Sequence, residues 1–115
     1  MEMSIRKELG KIESVSFGFG GYQEAMMGLS LGFSGEGWGV SDFISGSWQS
    51  SIKCDDHCKW KENDRSIARV AMVERIDKIL TDAKVYSVDK LKGKPVELTF
   101  DGNMLKEWRI LTEVL

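Results

Sequence analysis

Between residues 11 and 19 the chain alternates: Ile12, Val15, Phe17 and Phe19 are apolar, and Ser14, Ser16 and Gly18 lie between them. A period of two puts positions 15, 17 and 19 on one face of a strand, which predicts that Phe17 and Phe19 are core residues. Gly20-Gly21-Tyr22-Gln23 reads as a turn, and residues 25–33 as a second strand with Met27, Leu29, Leu31 and Phe33 on one face. The economical reading is a hairpin. Residues 38–44 predict a third strand, irregular because Gly39 weakens it, then a turn at Ser45-Gly46-Ser47 and a continuation through residues 48–53.

The pattern changes at Cys54. CDDHCKWKEND is dense in charge and reads as an exposed connection. Over residues 64–83 the apolar positions Ile67, Val70, Ala71, Val73, Ile76, Ile79, Leu80 and Ala83 recur at helical spacing, with Asn63 placed to cap the start. Residues 87–91 predict one helical turn stopped by Gly93, and Pro95 opens a strand through Val96, Leu98 and Phe100. Asp101-Gly102-Asn103 then turns the chain into a last strand through Trp108 and Ile110 toward Thr112. Strands, a helix and a hairpin predict an α+β fold: an antiparallel sheet of about five strands packed against one main helix, about residues 64–83. At 115 residues the chain has the length of one domain, 1–115.

Charge changes this picture in one region. Ten of the twelve glycines lie between Gly10 and Gly46, and no lysine or arginine occurs from Phe17 to Ile52. Large rings among glycines suit recognition as well as folding, because rings offer contact area at little rotamer cost. A net charge of −2 argues against a duplex nucleic-acid binder that works by phosphate neutralisation. It is also too balanced for a nucleic-acid mimic. MEMSIRKELGKIES lacks an apolar signal stretch, and nowhere do eighteen apolar residues run together, so a cytoplasmic protein without membrane contact is expected. Cys54 and Cys58 are then expected to stay reduced.

Gly18-Phe19-Gly20-Gly21-Tyr22 tempts a phosphate-loop reading, but a strand and not a helix follows, and no Gly-Lys-Ser/Thr is present. Cys54, His57 and Cys58 are weak metal candidates, with no second cysteine pair and no other histidine to complete a tetrahedral set. His57 adjoins Cys58 in the chain, a poor arrangement for a base and its thiol. No catalytic residue, resident metal or cofactor is therefore expected. Tyr22, Trp38, Trp48 and Trp60 sit in predicted turns or beside charged and small residues, where rings serve as contact or base-stacking platforms. Gln23 and Asp42 are the polar residues best placed beside them, and Arg65 and Arg69, four apart on one helix, are candidates for phosphate contacts.

The stretches SVSFGFGGYQEAMMGLSLGFSGEGWGVSDF and KPVELTFDGNMLKEWRILTEVL resemble the two signature stretches of a family of small bacteriophage and prophage accessory proteins. The resemblance covers most of the chain and attaches no activity, cofactor or catalytic residue to it. It implies a phage accessory gene expressed in the host bacterial cytoplasm. By analogy with such genes, the expected function is a non-enzymatic anti-defence binding protein, an oligomeric sponge that sequesters a nucleotide immune signal. The alternatives are a protein–protein inhibitor of a host defence enzyme, of anti-CRISPR type, and an accessory enzyme of phage nucleic-acid metabolism. A homo-oligomer is expected, since a small chain with several exposed rings can hide some of them in a symmetric interface.

Overall fold

The computed structural model describes residues 4–115; residues 1–3, which open the charged amino-terminal stretch, lie outside the described residues. The elements are β1 (Ile5–Gly20), β2 (Met26–Gly35), β3 (Trp38–Trp48), α1 (Glu62–Ala83), β4 (Pro95–Asp101) and β5 (Met104–Ile110). Short 3₁₀ turns occupy Tyr22–Glu24, Val88–Leu91 and Thr112–Val114. All pairings are antiparallel, in the order β3-β2-β1-β4-β5. The expected α+β fold, five strands against one main helix, is what the chain adopts. No described helix is long and apolar enough to cross a membrane.

β1 serves two neighbours with different halves. Residues 5–11 pair with β4 and residues 11–20 with β2, and a register shift falls between Ile12 and Ser14. A bulge there changes which parity faces the core. Ile12 and Val15 accordingly share the inner face, Ile12 opposite Phe33 and Val15 opposite Leu31. The bulge hides the amino-terminal half of β1 from a period-two reading that starts at Val15.

The inner face collects Ile12, Leu29, Leu31, Phe33, Val96, Leu98, Phe100, Trp108 and Ile110 with Leu91 and the helix residues Ile79 and Ala83. β3 and β5 are opposite edges of the sheet, yet Trp108 Nε1–H on β5 donates to Asp42 Oδ2 on β3 at 2.8 Å. Trp108 also lies 4.8 Å, centroid to centroid, from Phe33 on β2. Such contacts require the sheet to curl until its two edges face each other, with the core inside the curl. α1 lies along the gap, packing on β3 and reaching β5. Met72 sits over Gly46 of β3.

Several local expectations are corrected. Ser45-Gly46-Ser47 is not a turn but part of β3, irregular in register, and only Trp48 of residues 48–53 continues the sheet. The cap of α1 is not Asn63: the helix starts two residues earlier, and Asp64 Oδ2 accepts the Lys61 N–H at 2.8 Å, a bond that holds the first turn. Ile67, Val70, Ala71 and Val73 are exposed, because α1 turns residues 65, 72, 79 and 83 inward instead. Thr112 belongs to a terminal 3₁₀ turn.

Phe17 and Phe19 are the largest departure. They lie on the inner face, opposite Leu29 and Met27, but are 52% and 56% exposed. The strand alternation placed them on the correct face. That face extends past the part of the sheet that the helix covers.

Candidate functional site

Of the eight residues the sequence nominated, the fold brings six to one end of the molecule, where β1 turns into β2 and β3 runs into the connection before α1. The hub is Gln49. Its backbone N–H donates to Ala25 O at 2.8 Å and its side-chain Nε2 donates to Glu24 O at 3.0 Å, fastening the Tyr22–Glu24 turn to the end of β3. Gln23 and Glu24 both take left-handed backbone, φ 54° and 55°. This tight turn presents Tyr22 with 84% of its surface exposed.

Beside it the rings of Trp48 and Trp60 stack, centroids 4.8 Å apart and planes 11° from parallel. The Arg65 guanidinium lies over Trp60, 4.9 Å from the ring centroid. Arg65 is only 5% exposed; it donates to Ile52 O and pairs with Glu62 at 3.3 Å. Arg69 Nη2 donates to Trp48 O at 3.2 Å and to Ser50 Oγ at 3.3 Å. The two arginines thus hold the β3–α1 connection on the helix and do not project as free cations. Nε of each, and the Oγ of buried Ser47, have no hydrogen-bond partner. Ser47 also carries φ 88°, so among the described residues three of the four non-glycine residues with positive φ lie at this end, the fourth being Lys84 at the carboxyl cap of α1. Backbone strain of this kind persists where the surroundings over-determine it, and it concentrates at functional sites.

Arg65→Lys is expected to destabilise the protein by about 1–2 kcal/mol, because an ammonium does not reproduce the fork that reaches Ile52 O and Glu62 while the guanidinium lies over Trp60. Chemical denaturation followed by tryptophan fluorescence checks this. An unchanged midpoint would mean that the arginine does not hold the connection.

The other two nominated residues lie elsewhere. Trp38 opens β3, is half-buried, and meets Phe100 edge-on with centroids 5.6 Å apart. Its ring lies so close over Gly35 that a Cβ there would stand 2.3 Å from Cε2, so Gly35 is what lets Trp38 pack. Asp42 is the acceptor for Trp108 and its carboxylate faces that indole. Neither touches the Tyr22 end.

The CDDHC connection folds on itself. Cys54 Sγ–H donates to Trp60 O at 2.6 Å, Asp55 N–H donates to Cys58 Sγ at 3.0 Å, and His57 N–H donates to Asp55 Oδ1 at 2.8 Å. Among the described residues no group of three or more His, Cys, Asp or Glu is placed to hold a metal ion. Desolvation, with the neighbouring Cys58 sulfur and nearby carboxylates, pushes the Cys54 thiol up to about 11, so it stays protonated at neutral pH. A cleft of about 290 Å³ lies between α1 and β5, lined by Arg75, Lys78, Asp82, Glu107 and Arg109 among others, and none of the eight nominated residues borders it. Three of these charges are paired, Lys78 with Asp82 at 2.6 Å and Arg109 with Glu97 and Glu113 at 3.1 and 2.7 Å, while Arg75 lies over the Trp108 ring, 5.7 Å from its centroid. Hydrogen bonding to Arg109 holds Glu113 down to about 2, which suits an ion pair and not a general acid.

No protein-family model, curated protein or solved structure matches the chain.

Gln49, Ser47 and Ile52 belong to this end and were not singled out from the sequence. The polar break Gln49-Ser50-Ser51 after Trp48 was the available signal for Gln49. Ser47 had none, because its strain arises from the irregular pairing of β3.

Proposed function

We propose that this chain is a non-enzymatic binding protein, encoded by a phage, that blocks a host defence protein by direct contact. The carrying observation is the Tyr22 ring, 84% exposed on a turn that Gln49 fastens in place. Presenting a tyrosine on a pre-formed turn lowers the ordering cost of association, and exposed tyrosines are frequent interface anchors. The exposed helix residues Ile67, Val70 and Val73 add apolar surface starting from the same end. A nucleotide sponge needs free ring faces and free cations. Here Trp48 and Trp60 each lose one face to the other, and Arg65 and Arg69 bind backbone carbonyls, so neither stands as a free cation beside the exposed Tyr22 ring, which favours the contact reading.

Immobilised protein should capture one recurring host protein from bacterial lysate, and Tyr22→Ala should weaken that capture about 30-fold, the equivalent of a hot-spot loss near 2 kcal/mol. Capture indifferent to Tyr22 would remove the proposed anchor. A stoichiometric nucleotide adduct in the native mass spectrum, with no protein partner, would replace this reading by the sponge.

A further inference from the structure

β1 has one side that its own fold leaves half open. Toward β2 it is paired along residues 11–20, but on the other side β4 ends at the pair Lys11 and Pro95. The last backbone bonds on that side are Ile12 N–H to Lys94 O at 3.0 Å and Gly93 N–H to Ile12 O at 2.7 Å. From Ser14 to Gly20 no further backbone partner exists on that side among the described residues. Every second N–H and C=O of this stretch therefore points outward unpaired. Ser16, Phe17, Gly18 and Phe19 are all exposed.

Proteins normally blunt such an edge with charge, proline or a covering element. The other edges of this sheet are blunted: β5 carries Lys106, Glu107 and Arg109, and β3 is covered by α1. Residues 14–20, Ser-Val-Ser-Phe-Gly-Phe-Gly, carry neither charge nor proline. The Val88–Leu91 turn packs against β1, but Ser16 to Phe19 stay exposed, and an edge there with alternate aromatic side chains is a pairing surface.

We propose that residues 14–20 pair antiparallel with the same residues of a second copy of this chain, joining two five-stranded sheets into one across a two-fold axis at Phe17. The free stretch runs from the bulge beside Ile12 to the turn at Gly21, and Phe17 is its centre. A two-fold axis there sets Val15 opposite the copy's Phe19, Phe17 opposite its own copy, Ser16 opposite Gly18 and Ser14 opposite Gly20. Residues of one parity stay on one face, so the apolar row of each copy continues into the other and the small row does the same. Having no charge, the seam brings no like charges together at its centre, and no charge on it favours a foreign strand over a second copy. Self-pairing is isologous and closes after two chains.

The test uses size and symmetry together. Light scattering on the purified wild-type chain at micromolar concentration should give twice the 13.0 kDa chain mass, and hydrogen exchange should show protected amides within residues 14–20. Phe17→Lys and Phe17→Glu, each placing like charges face to face on an already exposed site, should each give 13.0 kDa with an unchanged circular dichroism spectrum. Mixing the two variants should restore the doubled mass, because only residue 17 opposite its own copy lets Lys meet Glu. A monomeric wild type, an oligomer that survives Phe17→Lys, or two folded variants that do not recombine would each overturn the pairing. The inference is independent of the contact role above: Tyr22-dependent capture can persist in the Phe17 variants whichever way the mass measurement falls.

Discussion

Gly28→Ala is expected to lower the unfolding free energy by about 2–3 kcal/mol, while Gly18→Ala, at the position directly opposite, leaves it unchanged or raises it by about 0.5 kcal/mol. The two glycines are paired in register between β1 and β2. A Cβ on Gly28 would stand 2.2 Å from Ile44 O and 3.0 Å from Ile44 C and Phe43 Cζ. The nearest obstacle is backbone of β3, held in the ladder and unable to rotate away, so the strands must separate or slip. A Cβ on Gly18 meets nothing within 4 Å, and its φ is not in the left-handed region. Alanine there only restricts the unfolded chain. Urea unfolding of both variants, at matched concentration and with the slope checked for constancy, separates the cases. Equal midpoints would mean that β3 does not lie as close to β2 at Gly28 as described.

Trp108→Phe is expected to cost about 2 kcal/mol although it keeps an aromatic ring against Phe33. The loss comes from the indole N–H that Asp42 accepts at 2.8 Å, a charge-assisted bond shielded from water on the indole side. Asp42→Ala should cost a similar amount, and the double variant little more than either single one, giving a coupling of about 1–2 kcal/mol. Additive losses would show that the bond does not join the sheet edges in solution. This coupling bears on the whole fold, because it links the first and last strands of the sheet order. Asp42 was nominated from the sequence as a ligand-reading carboxylate. Its partner lies 66 residues away in the chain, and no local pattern announces it.

The same distinction runs through the candidate site. Tyr22 and Gln23 were legible because glycines and a polar residue mark a turn between two alternating runs, and turns leave side chains exposed. Trp48, Trp60, Arg65 and Arg69 were legible as residue types suited to contact, but not as partners of one another. Their stacking depends on how the 49–61 connection folds back over the start of α1, which is governed by hydrogen bonds such as Cys54 to Trp60 O and Arg65 to Ile52 O. A helical wheel alone puts arginine outward. Here two arginines face inward because the end of β3 and the connection after it offer carbonyl acceptors, Trp48 O and Ile52 O, and the apolar residues Ile67, Val70 and Val73 are left outside.

By itself the sequence determined what is local: the alternation of β2 and β4, the turns at Gly21 and Gly102, the run of α1, and the uncharged aromatic stretch that ends β1. These follow from side-chain period and backbone preference within a few residues. Only the tertiary structure decided which faces are covered. Phe17 and Phe19 obey the same alternation as Leu29 and Leu31, yet the first pair is exposed and the second buried. Alternation assigns a residue to a face, whereas burial depends on what the curled sheet and its one helix place opposite that face.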